Sequence, residues 1–307
     1  MKILIAYDGS GYSRNAIYDL QCAGFPNEAH VRIISVSEAW LSPEMDGSNH
    51  EAHLDDDILE YFHKHSEQID RNIEETRGIL IEAKENLRKL FPKWSIETVA
   101  FKGSPAQVIL QAAAEFAPDL IVVGALGLSS DNRPGLGSVS QKILSYSKVS
   151  TRIVRSKAET DPDRLKIAIC FDNSPFSLEA VKTVVLRKWS GKPEVRLFVV
   201  TDPLIALIPG RVFQLIPGIP EGRMKGEKKW VESLADKSLR MLRNAGLTAS
   251  VDICSGNPRI MLLSETKEWN ADIIFIGANS GQCHSLGSVA SGVSARASCS
   301  VEVIKKS

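Results

Sequence analysis

An internal repeat is the feature that most constrains how this chain folds. Four blocks of sequence occur twice, in the same order and at nearly the same spacing. The pairs of blocks are 2–10 with 166–174, 103–105 with 256–258, 119–125 with 272–278, and 137–139 with 287–289. Repetition of a whole series of blocks predicts two copies of one structural unit, placed one after the other in the chain.

Each copy alternates segments typical of strands with segments typical of helices. The strands predicted in the first copy are Lys2–Tyr7, Val31–Val36, Ser95–Phe101, Asp119–Val123 and Thr151–Arg155, and the helices are Ser13–Ala23, His63–Leu90, Pro105–Glu115 and Ser138–Tyr146. The strands predicted in the second copy are Lys166–Phe171, Glu194–Val200, Leu247–Ile253, Asp272–Ile276 and Ser300–Ile304. Because the strands are nearly continuous apolar runs that alternate with helices, we expect an α/β fold. Each copy should form a doubly wound parallel sheet with helices on both faces.

The 307 residues suffice for two domains of ordinary size. We expect the first domain at residues 1–156, a linker of mixed charge at 157–164 and the second domain at 165–307. Lys+Arg and Asp+Glu number 37 each, and this balance argues against a nucleic-acid-binding protein. No apolar run reaches about 18 residues, so no membrane span is predicted. The five scattered cysteines are typical of a reducing cytoplasm, where we expect the protein to act.

A glycine-rich loop follows the fourth strand of the first copy. It contains Gly124 and Gly127, then nine residues, then Gly137 and Ser138 at the start of the fourth helix. Glycines let main-chain amides come close to a ligand, because no Cβ stands in the way. The first amides of a helix have no partner within the helix, and such an end favours an anion, above all a phosphate. The loop therefore predicts a phosphate-binding site.

Asp8 ends the first strand, and an aspartate recurs at the equivalent Asp172. If strands one and four are neighbours, Asp8 and the glycine loop face one crevice at the carboxyl edge of the sheet, where doubly wound folds bind ligands. A carboxylate there suits the neutral part of a nucleotide, because it accepts hydrogen bonds from a ribose hydroxyl or a base amine. The alternative role for Asp8 is to cap the helix that begins near Ser13. Neither a Walker-type phosphate loop nor a complete dinucleotide-binding fingerprint occurs.

Together, the aspartate at the end of the first strand and the spacing of the glycine loop resemble the universal stress protein family in its tandem two-domain form. The resemblance covers nearly the whole chain. It implies five parallel strands per domain in the order 3-2-1-4-5, and the binding of ATP or AMP. It also implies that the two domains pair through their last strands, Thr151–Arg155 against Ser300–Ile304.

The resemblance further implies roles for individual residues of the first domain. Asp8 and the main chain near Val36 would hold adenine and ribose. Gly124 and Gly127 would lie along ribose and phosphate. The phosphates would bind the amides and the two hydroxyl groups of the segment that follows, namely Gly137, Ser138, Val139 and Ser140. ATP would carry Mg²⁺ on its phosphates, and no dedicated metal site is predicted.

The second domain departs from this pattern in its own glycine loop. Ser280 occupies the position of the second glycine, and the loop is three residues shorter than in the first domain. A side chain at a position of close approach obstructs a ligand, so we predict weak or absent ATP binding in this domain. The same loop contains Cys283-His284, a type of pair that can be nucleophilic, but no third group accompanies it in the sequence and no catalytic residue is predicted.

Two further segments each have alternative interpretations. Residues 43–57 are acidic and include His50 and His53, so they form either a solvated loop or a metal site. The apolar segment Leu204–Ile216 follows the second strand of the second domain. It either forms an interface or a lid over an apolar ligand, or it packs internally.

The sequence therefore predicts an adenine-nucleotide-binding regulatory or stress-response protein that holds its nucleotide in the first domain and forms a homo-oligomer. Enzymatic activity is not expected beyond slow ATP hydrolysis, because the loop contains no lysine and its nearest cation is Arg133. Two alternatives stay open. One is an enzyme of the adenine-nucleotide hydrolase type, and the other is an adaptor that binds a protein or an apolar ligand through Leu204–Ile216.

Overall fold

The computed structural model describes residues 1–37, 74–128, 135–155, 160–201, 221–279 and 286–305, and only the backbone for 221–232. The first half contains β1 (Lys2–Ala6), α1 (Gly11–Asp19), a 3₁₀ turn (Leu20–Cys22), β2 (His30–Ser37), α2 (residues 74–90), β3 (Ser95–Lys102), α3 (Pro105–Phe116), β4 (Leu120–Gly124), α4 (Ser138–Tyr146) and β5 (Ser150–Val154). The second half contains β6 (Lys166–Cys170), α5 (Pro175–Leu186), β7 (Glu194–Thr201), α6 (Glu221–Asn244), β8 (Thr248–Ser255), α7 (Pro258–Glu268), β9 (Ile273–Ala278), α8 (Ser288–Arg296) and β10 (Ser300–Lys305). The predicted alternation of strands and helices is confirmed, and the predicted start of α2 at residue 63 lies outside the described ranges.

The strands form one continuous sheet of ten. Their order is β3-β2-β1-β4-β5-β10-β9-β6-β7-β8. Within each half all paired neighbours run parallel, in the order 3-2-1-4-5 that the family resemblance implies. The halves meet at β5 and β10, which pair antiparallel. The carboxyl ends of β1, β2 and β4 therefore share one edge of the first half, where a ligand site is expected.

Apolar side chains cover both faces of the sheet. On one face a single buried core crosses the junction between the halves, and it includes Leu4 from the first half and Ile274 from the second. The other face has two cores, one around Ile5 of the first half and one around Ile169 of the second half, and the second core also includes Cys22 of the first half. The shared core means that pairing of the two halves buries apolar surface as well as joining strand edges. None of the helices in the described ranges combines the length and the apolar character that a membrane span requires.

The turn after β1 determines where α1 starts. The Ser10 hydroxyl accepts a hydrogen bond from the Ser13 amide at 3.2 Å, so Ser10 is the N-cap and the helix begins directly after it, earlier than the sequence predicts. The same arrangement recurs in the second half, where the Ser174 hydroxyl accepts from the Ser177 amide at 3.2 Å. The capping role considered for Asp8 thus belongs to Ser10, and Asp8 stands just outside the helix.

Candidate functional site

The first half contains a cleft of about 880 Å³ at the carboxyl ends of its central strands. The ends of β1, β2 and β4 and the N-terminus of α4 all contribute to its lining. The eight residues that the sequence analysis selects all line this cleft: Asp8, Val36, Gly124, Gly127, Gly137, Ser138, Val139 and Ser140. The fold therefore brings together groups that are far apart in the chain.

Asp8 lies between the turn after β1 and the first part of the glycine loop. Its Oδ1 accepts a hydrogen bond from the Ser10 amide at 3.0 Å, and its Oδ2 accepts one from the Leu128 amide at 3.3 Å. The side chain is only partly buried. Because an ionised carboxylate offers about four lone-pair positions, Asp8 keeps capacity to accept hydrogen bonds from a ligand in the cleft.

Close contacts within the protein favour glycine at positions 124 and 127, a reason that the sequence analysis does not find. A Cβ on Gly127 would lie 2.8 Å from Asp8 Oδ2, and a Cβ on Gly124 would lie 3.0 Å from the main-chain carbonyl carbon of Tyr12. Both distances are shorter than favourable packing contacts between non-bonded atoms. The absence of a side chain lets Asp8 approach the loop and lets the start of α1 pack against the end of β4.

The N-terminus of α4 is held in position by its own loop. The Gly137 amide and the Ser140 hydroxyl both donate to the Ala125 carbonyl, each at 2.8 Å. The family resemblance implies that both groups bind phosphate, yet each already has an acceptor within the loop. The main-chain amides of Ser138, Val139 and Ser140 have no partner among the described residues, and Ser138 is exposed. These groups are the ones free to meet a ligand.

Helices α2 and α3 complete the cleft with residues that the sequence analysis does not select. Glu75 and Ile79 come from α2, and Ile109 comes from α3. Ile79 belongs to an apolar stripe that indicates which face of α2 meets the sheet, but such a stripe does not show that the helix reaches the ligand edge. Among the described lining residues, Glu75 and Asp8 carry the charged side chains.

The second half repeats the turn after its first strand but changes the start of its last helix. The Asp172 carboxylate accepts a hydrogen bond from the Ser174 amide at 2.9 Å, as its counterpart does in the first half. At the start of α8, Ala290 occupies the position that Ser140 has in α4. Alanine has no hydroxyl, so the second half lacks the side-chain bond by which Ser140 holds the loop against the helix.

Several residues of the sequence analysis lie outside the described ranges. They are Arg133, Ser280, Cys283 and His284, together with the segments 43–57 and Leu204–Ile216. The predictions attached to these residues stay predictions.

Comparison with known proteins agrees with the duplication. The sequence model of the universal stress protein family matches the chain twice, at residues 1–155 and at residues 164–305. The chain therefore belongs to the universal stress protein family. Because each half matches separately, it is a tandem-domain member, and the resemblance drawn from the glycine spacing and the strand-ending aspartate is confirmed.

Individual relatives resemble one half or the whole chain. The "Universal stress protein in QAH/OAS sulfhydrylase 3'region" of Thermus aquaticus is 28% identical over 153 residues, which are 50% of this chain and 97% of that protein. The crystal structure of a universal stress protein from Archaeoglobus fulgidus DSM 4304 has 20% identity and a TM-score of 0.63, covering 100% of this chain and 98% of the other. A functionally unknown protein from Pseudomonas aeruginosa PAO1 has 13% identity and a TM-score of 0.58, covering 99% and 92%. At these identities the two structures support the fold of both domains.

Proposed function

We propose that the first half of the chain binds an adenine nucleotide, AMP or ATP, and that the protein is a nucleotide-responsive regulatory or stress-response protein. One observation carries the proposal: a single cleft combines free amides at the N-terminus of α4, the Asp8 carboxylate, and apolar walls that include Ile34 and Ile109. These three features suit, in turn, the phosphate, the ribose and the base of a nucleotide.

The phosphate belongs at α4 rather than along the whole glycine loop. Asp8 contacts the Leu128 amide and lies close to Gly127, so its negative charge borders the first part of the loop. A phosphate would be repelled there. The amides of residues 138–140 point outward from the N-terminus of α4, where the helix dipole also favours an anion. Gly127 then borders the ribose, which a carboxylate can bind through its hydroxyl groups.

The base belongs at the end of β2, which extends beyond its neighbour β1. The last residue of β1 in register with β2 is Ala6, opposite Ile34, and the Ile34 carbonyl accepts from the Tyr7 amide at 2.8 Å. Main-chain groups of residues two apart in a strand point to the same side. The amide and carbonyl of Val36 therefore face the cleft beyond the end of β1. An adenine edge, with one donor and one acceptor, can bond to both.

The proposed role is binding rather than turnover. Phosphoryl transfer needs cations to neutralise the developing charge, whereas the charged side chains of the described lining are the carboxylates Asp8 and Glu75. Mg²⁺ carried on the phosphates of ATP would offset part of the negative charge. The chain's own residues supply amides and apolar contacts, which hold a nucleotide without activating it, and slow hydrolysis is the most that we expect.

Calorimetric titration of the full chain with AMP, and with ATP in the presence of Mg²⁺, tests this proposal. Asp8→Asn keeps an oxygen for the Ser10 amide but removes the charge, and a hydrogen bond to a charged group is worth about 1.5–3 kcal/mol. We therefore expect AMP binding to weaken by about tenfold or more. The matched control, Asp172→Asn, alters the equivalent contact with Ser174 outside the cleft and should leave the affinity unchanged. Wild-type protein that gives no binding heat, or equal losses in the two variants, would refute the proposal.

A further inference from the structure

Opposite charges meet at the centre of the junction between the halves. Arg152 of β5 and Glu302 of β10 are register partners in the antiparallel pair, and Arg152 Nη1 donates to Glu302 Oε2 at 3.0 Å. Both residues are 0% exposed. Each also has a partner from its own half, because Arg152 Nε donates to Asp19 at 2.5 Å and Arg187 donates to Glu302. The junction therefore contains a row of four alternating charges, of which the two central ones are buried and the outer two, Asp19 and Arg187, are partly buried.

Arg152 and Glu302 occupy the same position in the two copies of the repeat. Arg152 is in register with Val122 of β4, and Glu302 is in register with Phe275 of β9, the residue that corresponds to Val122. The approximate two-fold axis that relates the halves therefore passes between the arginine and the glutamate. If a second copy of the first half paired in the same way, two buried arginines would face each other. Two copies of the second half would bring two buried glutamates together.

Such like-charged pairs are disfavoured in a buried site, because each charge would face a like charge across the junction and keep only the opposite partner from its own half. Burial lowers the pKa of Arg152, but the carboxylates of Asp19 and Glu302 raise the pKa by more, so the arginine stays charged. Arg152 Nη2 has no hydrogen-bond partner among the described residues. A buried charge cluster with an unpaired donor is a poor means of gaining stability, whereas buried charges of this kind can determine which partner is accepted.

The shape of the junction is asymmetric as well. Trp189 of the second half packs against Gly24 of the first, where a Cβ would lie 2.7 Å from the indole ring. The repeat places Lys188 at the position that corresponds to Gly24. Two second halves paired through the same edge would therefore set Trp189 against a lysine side chain, for which the packing leaves no space.

We propose that the edges of β5 and β10 are matched by charge and shape so that each accepts the other and rejects a copy of itself. The partner that fits the β5 edge is an edge with a buried carboxylate opposite Arg152, and in this chain β10 supplies it. A further assembly of two chains then uses a different surface, or exchanges β10 between chains with the Arg152–Glu302 contact kept.

Native mass spectrometry of a chain cut in its linker tests the proposal. A protease site inserted between Lys157 and Ala158 of the full chain is cleaved after purification, and the two halves are unfolded and refolded together. We expect the refolded wild type to contain only pairs of one first half with one second half. Arg152→Met removes the charge that repels a second copy, so pairs of two first halves should appear as well. Ile153→Val, an uncharged change on the same strand, should keep the exclusive pairing.

The proposal is overturned if refolded wild type gives all three kinds of pair in random proportions, or if Arg152→Met keeps the exclusive pairing. If the cut halves do not refold, urea unfolding of variants of the intact chain tests the proposal instead. We expect a lower midpoint for Arg152→Glu, which sets two carboxylates face to face, than for Arg152→Met. Equal midpoints would overturn the proposal, and failure of Arg152→Glu alone to fold would support it.

Discussion

Two serines at the start of α4 are expected to have separable roles, and alanine substitutions test this directly. Ser140 is 3% exposed, and its hydroxyl lies 2.8 Å from the Ala125 carbonyl and 3.0 Å from the Gly137 carbonyl. Ser138 is exposed at the cleft. The family resemblance implies phosphate binding by both hydroxyls, whereas the contacts assign the Ser140 hydroxyl to the loop and leave that of Ser138 for a ligand.

The expected cost of Ser140→Ala follows from its contacts. The change removes one buried hydrogen bond, whose net contribution to stability is about 1 kcal/mol. The Ala125 carbonyl keeps its bond from the Gly137 amide at 2.8 Å, so no buried acceptor is left unsatisfied and no desolvation penalty is added. We expect the free energy of unfolding to fall by about 1 kcal/mol. The loosened loop should weaken the binding of adenosine and of AMP by the same factor, up to about fivefold.

Ser138→Ala should give the opposite pattern. An exposed surface change leaves the free energy of unfolding within about 0.5 kcal/mol of wild type. If the Ser138 hydroxyl binds phosphate, AMP affinity falls by about fivefold, as loss of one hydrogen bond predicts, while adenosine affinity stays the same. Urea unfolding supplies the stabilities, and calorimetry with adenosine and AMP supplies the affinities. The reasoning is refuted if Ser140→Ala leaves stability unchanged and weakens AMP alone, because the Ser140 hydroxyl would then be a phosphate ligand.

Two further substitutions test packing and charge at the ends of the strands. Gly277→Ala should cost about 3 kcal/mol or more of stability, because its Cβ would lie 2.3 Å from the main chain of Phe176, whereas Gly124→Ala, with a nearest contact of 3.0 Å, should cost about 1 kcal/mol. Urea unfolding that gives equal costs would contradict this. Lys305 Nζ donates to two carbonyls at the C-terminal end of α4, and burial lowers its pKa from 10.5 to about 8. Between these pH values the unfolded chain holds a proton that the folded chain lacks, so wild-type stability should rise with pH relative to Lys305→Met, by at most about 3 kcal/mol. Parallel stability profiles from pH 8 to pH 10.5 would show that the lysine titrates normally.

Most of the fold follows from patterns that a parallel sheet imposes on a sequence. Strands covered on both faces need continuous apolar residues, and β1, β4, β6 and β9 all show them. The sequence predicts too late a start for α1, because the capping residue is Ser10 and the apolar pattern begins later. The continuous sheet of ten strands depends on which edges meet, and only the resemblance to a known family predicts that β5 pairs with β10.

The sequence predicts those residues of the cleft whose type is set by backbone geometry. It does not predict the role of a side chain whose hydrogen-bond partner decides that role. The spacing of Gly124 and Gly127 selects the loop, and the close contacts at both positions favour a residue without a side chain. The sequence does not show whether a hydroxyl already donates its proton within the protein, so the family resemblance gives the Ser140 hydroxyl a phosphate role that its contacts do not favour. Glu75 reaches the cleft because of the angle at which α2 crosses the sheet, and no local sequence pattern predicts that angle. The sequence does contain a signal of the Arg152–Glu302 pair, because residues of opposite charge interrupt the apolar last strands of the two halves at equivalent positions.

Helix α4 connects the second half to the candidate site, because one end of the helix contacts β10 and the other end faces the cleft. Lys305 of β10 donates to the carbonyls of Leu144 and Ser147 at the C-terminal end of α4, while the N-terminal amides of the same helix face the cleft. The arrangement is reciprocal, since Arg155, which corresponds to Lys305, donates to the Ser294 carbonyl at the end of α8. A cation at the C-terminus and a phosphate at the N-terminus both interact favourably with one helix dipole. Each half therefore caps the last helix of the other, so a second half that binds no nucleotide would still support the helix at which we propose that the first half binds phosphate.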